Sequence, residues 1–176
     1  MTRQTGNAFL TFCALLALCF AATPALSQVT GQAFEGFRQN SNDPIQIEAD
    51  ALQVQDGKNK ATFKGRVKVR QGTSTITTDK LVVTYGRNNG GGQGDVERLD
   101  LTGNVVVTSG QNVATGDKGH YIVKTERAVL EGNVVVSQGE SAATGCRLVA
   151  NLQTNVAQLD SCGRRVKTIF KPGSNN

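Results

Sequence analysis

The chain has 176 residues, a formal net charge of +5, no Trp, two Tyr, one His and four Cys. Such a length suits one domain, and so modest a basic excess does not mark a nucleic-acid binder. The shortage of aromatic rings leaves little surface on which a sugar could stack, which weighs against an ordinary carbohydrate site.

Residues 1–27 carry one charge, Arg3, followed by the apolar run FLTFCALLALCFAA and by TPALS before Gln28. A short positive region, a short apolar core and the small residues Ala25 and Ser27 are the parts of a secretory signal peptide, with cleavage predicted after Ser27. The run is shorter than the roughly 20 apolar residues a membrane-spanning helix needs. Its removal leaves 18 basic against 14 acidic side chains, a net charge of +4, on a protein expected to be soluble and exported. Anionic lipid or polysaccharide is then the more natural partner. Only Cys146 and Cys162 survive cleavage, and an oxidising compartment favours a disulfide between them. Two cysteines and His120 make no familiar structural zinc site, so no metal is expected.

Residues 28–44 are polar and contain glycine, which predicts a mobile arm; 172–176 form a short tail. Between them, residues 45–171 repeat themselves. Gly65, Gly103 and Gly132 each open a G-x-V-x-V motif; Gly72, Gly110 and Gly139 follow seven residues later. Asp79, Asp117 and Cys146 follow fourteen residues later, each before a base: Lys80, Lys118, Arg147. One supersecondary unit is being reused. The units are rich in Val and Thr and alternate with period two, as in Val67 and Val69 against Lys68 and Arg70. That is strand patterning, and glycine recurs where hairpins need positive φ. About a dozen or more short antiparallel strands are predicted, giving a long sheet folded over on itself. Asp50, Asp79 and Asp117 are assigned to turns, where their side chains can bond nearby amides. The stretch GRNNGGGQGDVERLD, Gly86 to Asp100, reads as a hairpin loop, since it lacks the ending of a phosphate-binding loop.

The inward-facing set is aliphatic: Ile45, Ile47, Leu52, Val54, Phe63, Val67, Val69, Ile76, Leu81, Val83, Leu101, Val105, Val107, Val123, Leu130, Val134 and Val136. Such residues form a packed core in most proteins; an elongated aliphatic interior also suits acyl chains. Lys58, Lys60, Lys64, Arg66, Lys68 and Arg70 lie close together, and Arg164, Arg165, Lys167 and Lys171 cluster near the end. Runs like these are solvated faces or edge guards, and they also steer anionic ligands. The first strand, Ile45 to Ala49, and the last, Arg165 to Phe170, are read as two open edges. Glu48 and Asp50 at one edge would complement Arg165 and Lys167 at the other. There is no G-x-S-x-G elbow, and His120 stands alone and is read as exposed, so neither catalytic residues nor a cofactor is expected.

The segment Pro44 to Tyr85, with P-I-x-I-E-A-D, then A-x-F-x-G-x-V-x-V-x-Q-G, then D-K-L-V-V, resembles the start of the periplasmic lipopolysaccharide-transport bridge proteins, the LptA/OstA family. GRRVKTIFKP, Gly163 to Pro172, resembles that family's ending. The resemblance implies an all-β fold, a twisted antiparallel β-jellyroll open at both ends with a hydrophobic groove. It implies a periplasmic, non-enzymatic carrier that holds the acyl chains of lipopolysaccharide. It implies head-to-tail homo-oligomers joining an LptC-like inner-membrane protein to an LptD-like outer-membrane translocon. Ile45, Ile47, Phe63, Val67, Val69, Val83, Tyr85, Leu101 and Tyr121 become the candidate groove lining. The cysteine pair departs from the family pattern, which places Asp where Cys146 stands. The reading from another class is a structural β-repeat protein, or a surface-polysaccharide binder, without lipid transport.

Overall fold

The computed structural model describes residues 43–87 and 93–170. The signal peptide with its cleavage site, the arm up to residue 42 and the 172–176 tail lie outside the described residues. Within them the chain is all-β, as the alternation predicts. The ten strands are β1 (Gln46–Glu48), β2 (Ala51–Gln55), β3 (Lys60–Gln71), β4 (Ser74–Arg87), β5 (Gln93–Ser109), β6 (Asn112–Ile122), β7 (Arg127–Gln138), β8 (Ser141–Asn151), β9 (Val156–Asp160) and β10 (Lys167–Ile169). Single 3₁₀ turns stand at Asp56–Lys58 and Val123–Thr125.

The strands are fewer and longer than the glycine punctuation suggests. Gly72, Gly110 and Gly139 do sit in hairpin turns at φ of 55 to 57°. Gly65, Gly103 and Gly132 are also at positive φ, but inside β3, β5 and β7, where each is followed by a second positive-φ residue: Arg66, Asn104, Asn133. They make bulges, so one strand runs through what looked like a break. The expected loop from Gly86 to Asp100 narrows for a similar reason. Gly86 and Arg87 still belong to β4 and Gln93 already belongs to β5, with Arg87 opposite Gln93.

All ten strands join one antiparallel sheet in which β3 to β8 form a meander. The edge beside β3 is made of two short pieces: β1 pairs Val69 and its neighbours, β2 pairs Phe63 and its neighbours. The far edge is also in two pieces, with β9 and β10 on opposite halves of β8. The sheet does not close on itself. Register slips fall side by side between Lys64 and Val67, Thr77 and Lys80, Thr102 and Val105, Thr115 and Lys118, and Glu131 and Val134. A bulge bends its strand, so this aligned series creases the sheet into two halves.

The inner faces of both halves feed one core. On one side of the crease Val69, Ile76, Val107, Ala114 and Val136 are successive partners across the sheet; on the other, Leu81, Leu101, Gly119, Leu130 and Leu148 are. Residues from both rows pack in the same cluster, so the halves face each other as in a jellyroll. Leu81, Leu130 and Leu152 are fully buried, each contributing roughly 1.5–3 kcal/mol. Leu52 and Val54, expected inside, keep the inward parity on β2 but stay 57% and 49% exposed, because no strand lies beyond them.

Candidate functional site: an apolar cavity between the halves of the sheet

Alternation sends every second side chain of β3 to β7 into the space between the two halves. They leave a cavity of about 480 Å³ there, a size within the ~300–1,000 Å³ typical of pockets for small apolar guests. Seven of the nine residues assigned to a groove line it: Ile45, Ile47, Val69, Val83, Tyr85, Leu101 and Tyr121. Phe63 lies half-buried beside it, packed against the core and paired with Leu52 and Leu81. Val67 is fully buried just after the bulge, where the halves meet. Ile76, Leu81, Leu99 and Leu130 complete much of the wall. Leu99 was missed although its signal was present: it shares parity with Leu101 on β5.

The wall is overwhelmingly aliphatic, with a few polar groups. Gln71 donates from its side-chain amide to the Asp43 carbonyl at 3.3 Å. Among the described residues the Tyr121 hydroxyl is buried without a hydrogen-bond partner, and burial, with the Glu126 charge adding, pushes its pKa up to about 12. His120, read from sequence as exposed, is half-buried on β6. Burial, then the nearby Arg98, holds it below the ordinary imidazole range, and Asp100 and Glu131 pull the other way. It is therefore neutral at pH 7. Such a wall can shelter an apolar guest from water.

Residues 46–156 match the family described as LptA/(LptD N-terminal domain) LPS transport protein. The chain belongs to that family. An uncharacterized protein of Rhizobium meliloti (strain 1021) is 37% identical over 157 residues, which span 87% of this chain and 84% of that protein. The crystal structure of LptH from Pseudomonas aeruginosa, described as the LptA-homologous periplasmic component of the conserved lipopolysaccharide transport device, is similar at a TM-score of 0.64 and 20% identity. That match covers 75% of this chain and 98% of LptH, and it carries the jellyroll fold.

In this member of the LPS transport family the crease is held by a ladder of side chains. Asp50, Asp79 and Asp117, which the sequence assigns to turns, instead each reach across to the bulge of a neighbouring strand. Asp50 takes a bidentate contact from Arg66, as close as 2.6 Å. Asp79 accepts from the Asn104 amide at 2.8 Å, and Asp117 from Asn133 at 2.9 Å. Their carboxylates lie over Gly65, Gly103 and Gly132, where a Cβ would collide with them. The fourth rung is covalent: Cys146 and Cys162 form a disulfide with Cα atoms 5.9 Å apart. Their separation of 16 residues equals that of Asp50 from Arg66 and of Asp117 from Asn133. Cys146 thus replaces the aspartate, Cys162 replaces its partner, and Ser161 stands where the glycine was.

Proposed function

We propose that the mature protein is a periplasmic carrier that holds lipopolysaccharide by its acyl chains on the way from the inner to the outer membrane. The observation that carries this reading is the aliphatic cavity inside a sheet that stays open at both edges. An open sheet lets a long amphiphile keep its sugars in water while its chains are sheltered. Membership of the LPS transport family supports the same substrate. Lipopolysaccharide is expected to co-purify with the protein exported from cells and to be detected by mass spectrometry of the extracted lipid. A lipid-free preparation that also fails to take lipopolysaccharide from micelles would overturn the reading.

The edges are the proposed docking points for further copies, for an LptC-like inner-membrane protein and for an LptD-like outer-membrane translocon. An unpaired strand edge offers main-chain donors and acceptors to a partner strand. Apolar side chains rim both edges, with Ile45 58% exposed at one and Ile169 and Phe170 70% and 61% exposed at the other. A head-to-tail contact is heterologous, so repeating it gives an open filament. The charge complement expected between first and last strands is spent within the chain, because Glu48 pairs with Arg70 and Asp50 with Arg66. Main-chain pairing and the apolar rims are left to hold copies together.

Deleting residues 164–176 removes β10 and uncovers the first half of β8. The truncated protein is expected to fold as a monomer that still binds lipid but no longer grows with concentration. Light scattering checks this; growth equal to that of the full chain would disprove terminal-strand assembly.

A further inference from the structure

We propose that the outer face of β3 and β4 binds the phosphate groups of the headgroup whose chains occupy the cavity. This rests on the carrier reading above. The charges of the chain are segregated: residues 44–92 carry eight basic and four acidic side chains, residues 93–163 five basic and eight acidic. The register shows what that does. Lys64, Lys80, Thr102, Lys118, Glu131, Arg147 and Asp160 are successive partners in one row beside the crease. The later part of the row is compensated, with Glu131 3.3 Å from both Lys118 and Arg147, and Arg147 3.9 Å from Asp160.

The start of the row is not compensated. Lys64 and Lys80 are directly opposed and exposed, and among the described residues no carboxylate pairs with either. Like charges set opposite each other on one face destabilise a sheet. Lys60 and Lys68 extend the same face along β3, alternating with the inward Ala61, Phe63, Val67 and Val69; among the described residues neither forms an ion pair, since Glu48, the carboxylate opposite Lys68, is taken by Arg70. Arg66 and Arg70, by contrast, are occupied by Asp50 and Glu48. Four free ammonium groups therefore share one strip of surface. Ammonium groups are compact, strongly hydrated charges suited to phosphate.

Position selects a lipid headgroup as the source of that phosphate. Ile45 and Ile47 line the cavity, and Ile45 is also exposed, so the cavity reaches the β1 edge. β3 is the next strand in, about 4.8 Å from that edge, and Lys68 is the direct partner of Glu48 on β1. A headgroup leaving the cavity at β1 has only one strand to cross before it meets the lysines.

The test compares the exported protein, its K64Q/K80Q variant and a Val69→Asp variant, with two probes: bisphosphorylated lipid A and the same lipid with both phosphates removed. K64Q/K80Q is expected to bind the bisphosphorylated lipid about tenfold more weakly, the scale of losing charge-assisted contacts. It should also show a flatter salt dependence, and bind the phosphate-free lipid unchanged. Its Tm should equal or exceed that of the wild type, since a repulsion has been removed. Unchanged affinity of K64Q/K80Q for the bisphosphorylated lipid, with Val69→Asp still losing both probes, overturns the phosphate site and leaves the carrier reading intact. Equal weakening toward both probes, or a lowered Tm, assigns the lysines a structural role and also overturns it. Failure of the wild type to bind either probe overturns the carrier reading itself.

Discussion

Replacing Val69 by Asp is expected to abolish acyl-chain binding. Val69 is 3% exposed, lies between Ile47 and Ile76 in its row, and lines the cavity. An unpaired carboxylate there costs several kcal/mol or takes up a proton. Either outcome wets a surface whose only attraction for a hydrocarbon is that it is dry. A loss of that size corresponds to more than a hundredfold in affinity, at about 1.4 kcal/mol per factor of ten. Because the variant is also expected to be less stable, a second measurement isolates the cavity. A photoreactive phenylalanine analogue at Tyr85, which lines the cavity, should label lipopolysaccharide. The same analogue at Val135, an exposed position on β7, should not. Equal labelling from the two positions would sink the idea.

The alternation of Val and Ile with polar residues was enough to read an all-β chain, its aliphatic interior and most of the wall, because parity along a strand is a local property. Ile47, Val69, Val83 and Leu101 could be placed without knowing which strand lies beside which. What could not be read was register. Gly65 and Gly72 look alike as letters, yet one makes a bulge inside β3 and the other a hairpin. The difference lies in whether the strand finds its old partner again after the slip, which is a tertiary matter. Hence the sequence suggests shorter and more numerous strands than the sheet contains, and it places the aspartates in turns instead of at the crease. Leu52 and Val54 show the same limit from another side: their parity is inward, and only the topology reveals that β2 is an edge. The charged row beginning at Lys64 and Lys80 is invisible in sequence, where the two lysines are sixteen positions apart.

Reducing the Cys146–Cys162 bond should cost the protein about 3 kcal/mol, the loop-closure value for roughly 15 residues in the chain-entropy model. The bond ties β8 to the turn between β9 and β10, so it braces the two short pieces of the far edge. β10 is only three residues long and exposed throughout, and has little else to hold it. Mass spectrometry of the exported protein should show two hydrogens fewer than the dithiol. Urea titration of C146S/C162S should show a lower midpoint at unchanged slope. The ladder predicts how to repair the loss. At two of the other rungs an aspartate, a glycine and an asparagine do the work, with the carboxylate packed on the bare Cα of the glycine. Cys146→Asp alone would lack the bare Cα on which the carboxylates of the other rungs pack. C146D/S161G/C162N, which restores the full set, should recover about 1 kcal/mol, the net value of one hydrogen bond. That recovery should persist in reductant, where the wild type loses its brace. Identical midpoints for oxidised and reduced wild type would show that the crease holds without a fourth rung. A triple variant no more stable than C146S/C162S would show that the turn after β9 does not share the geometry of the three bulges.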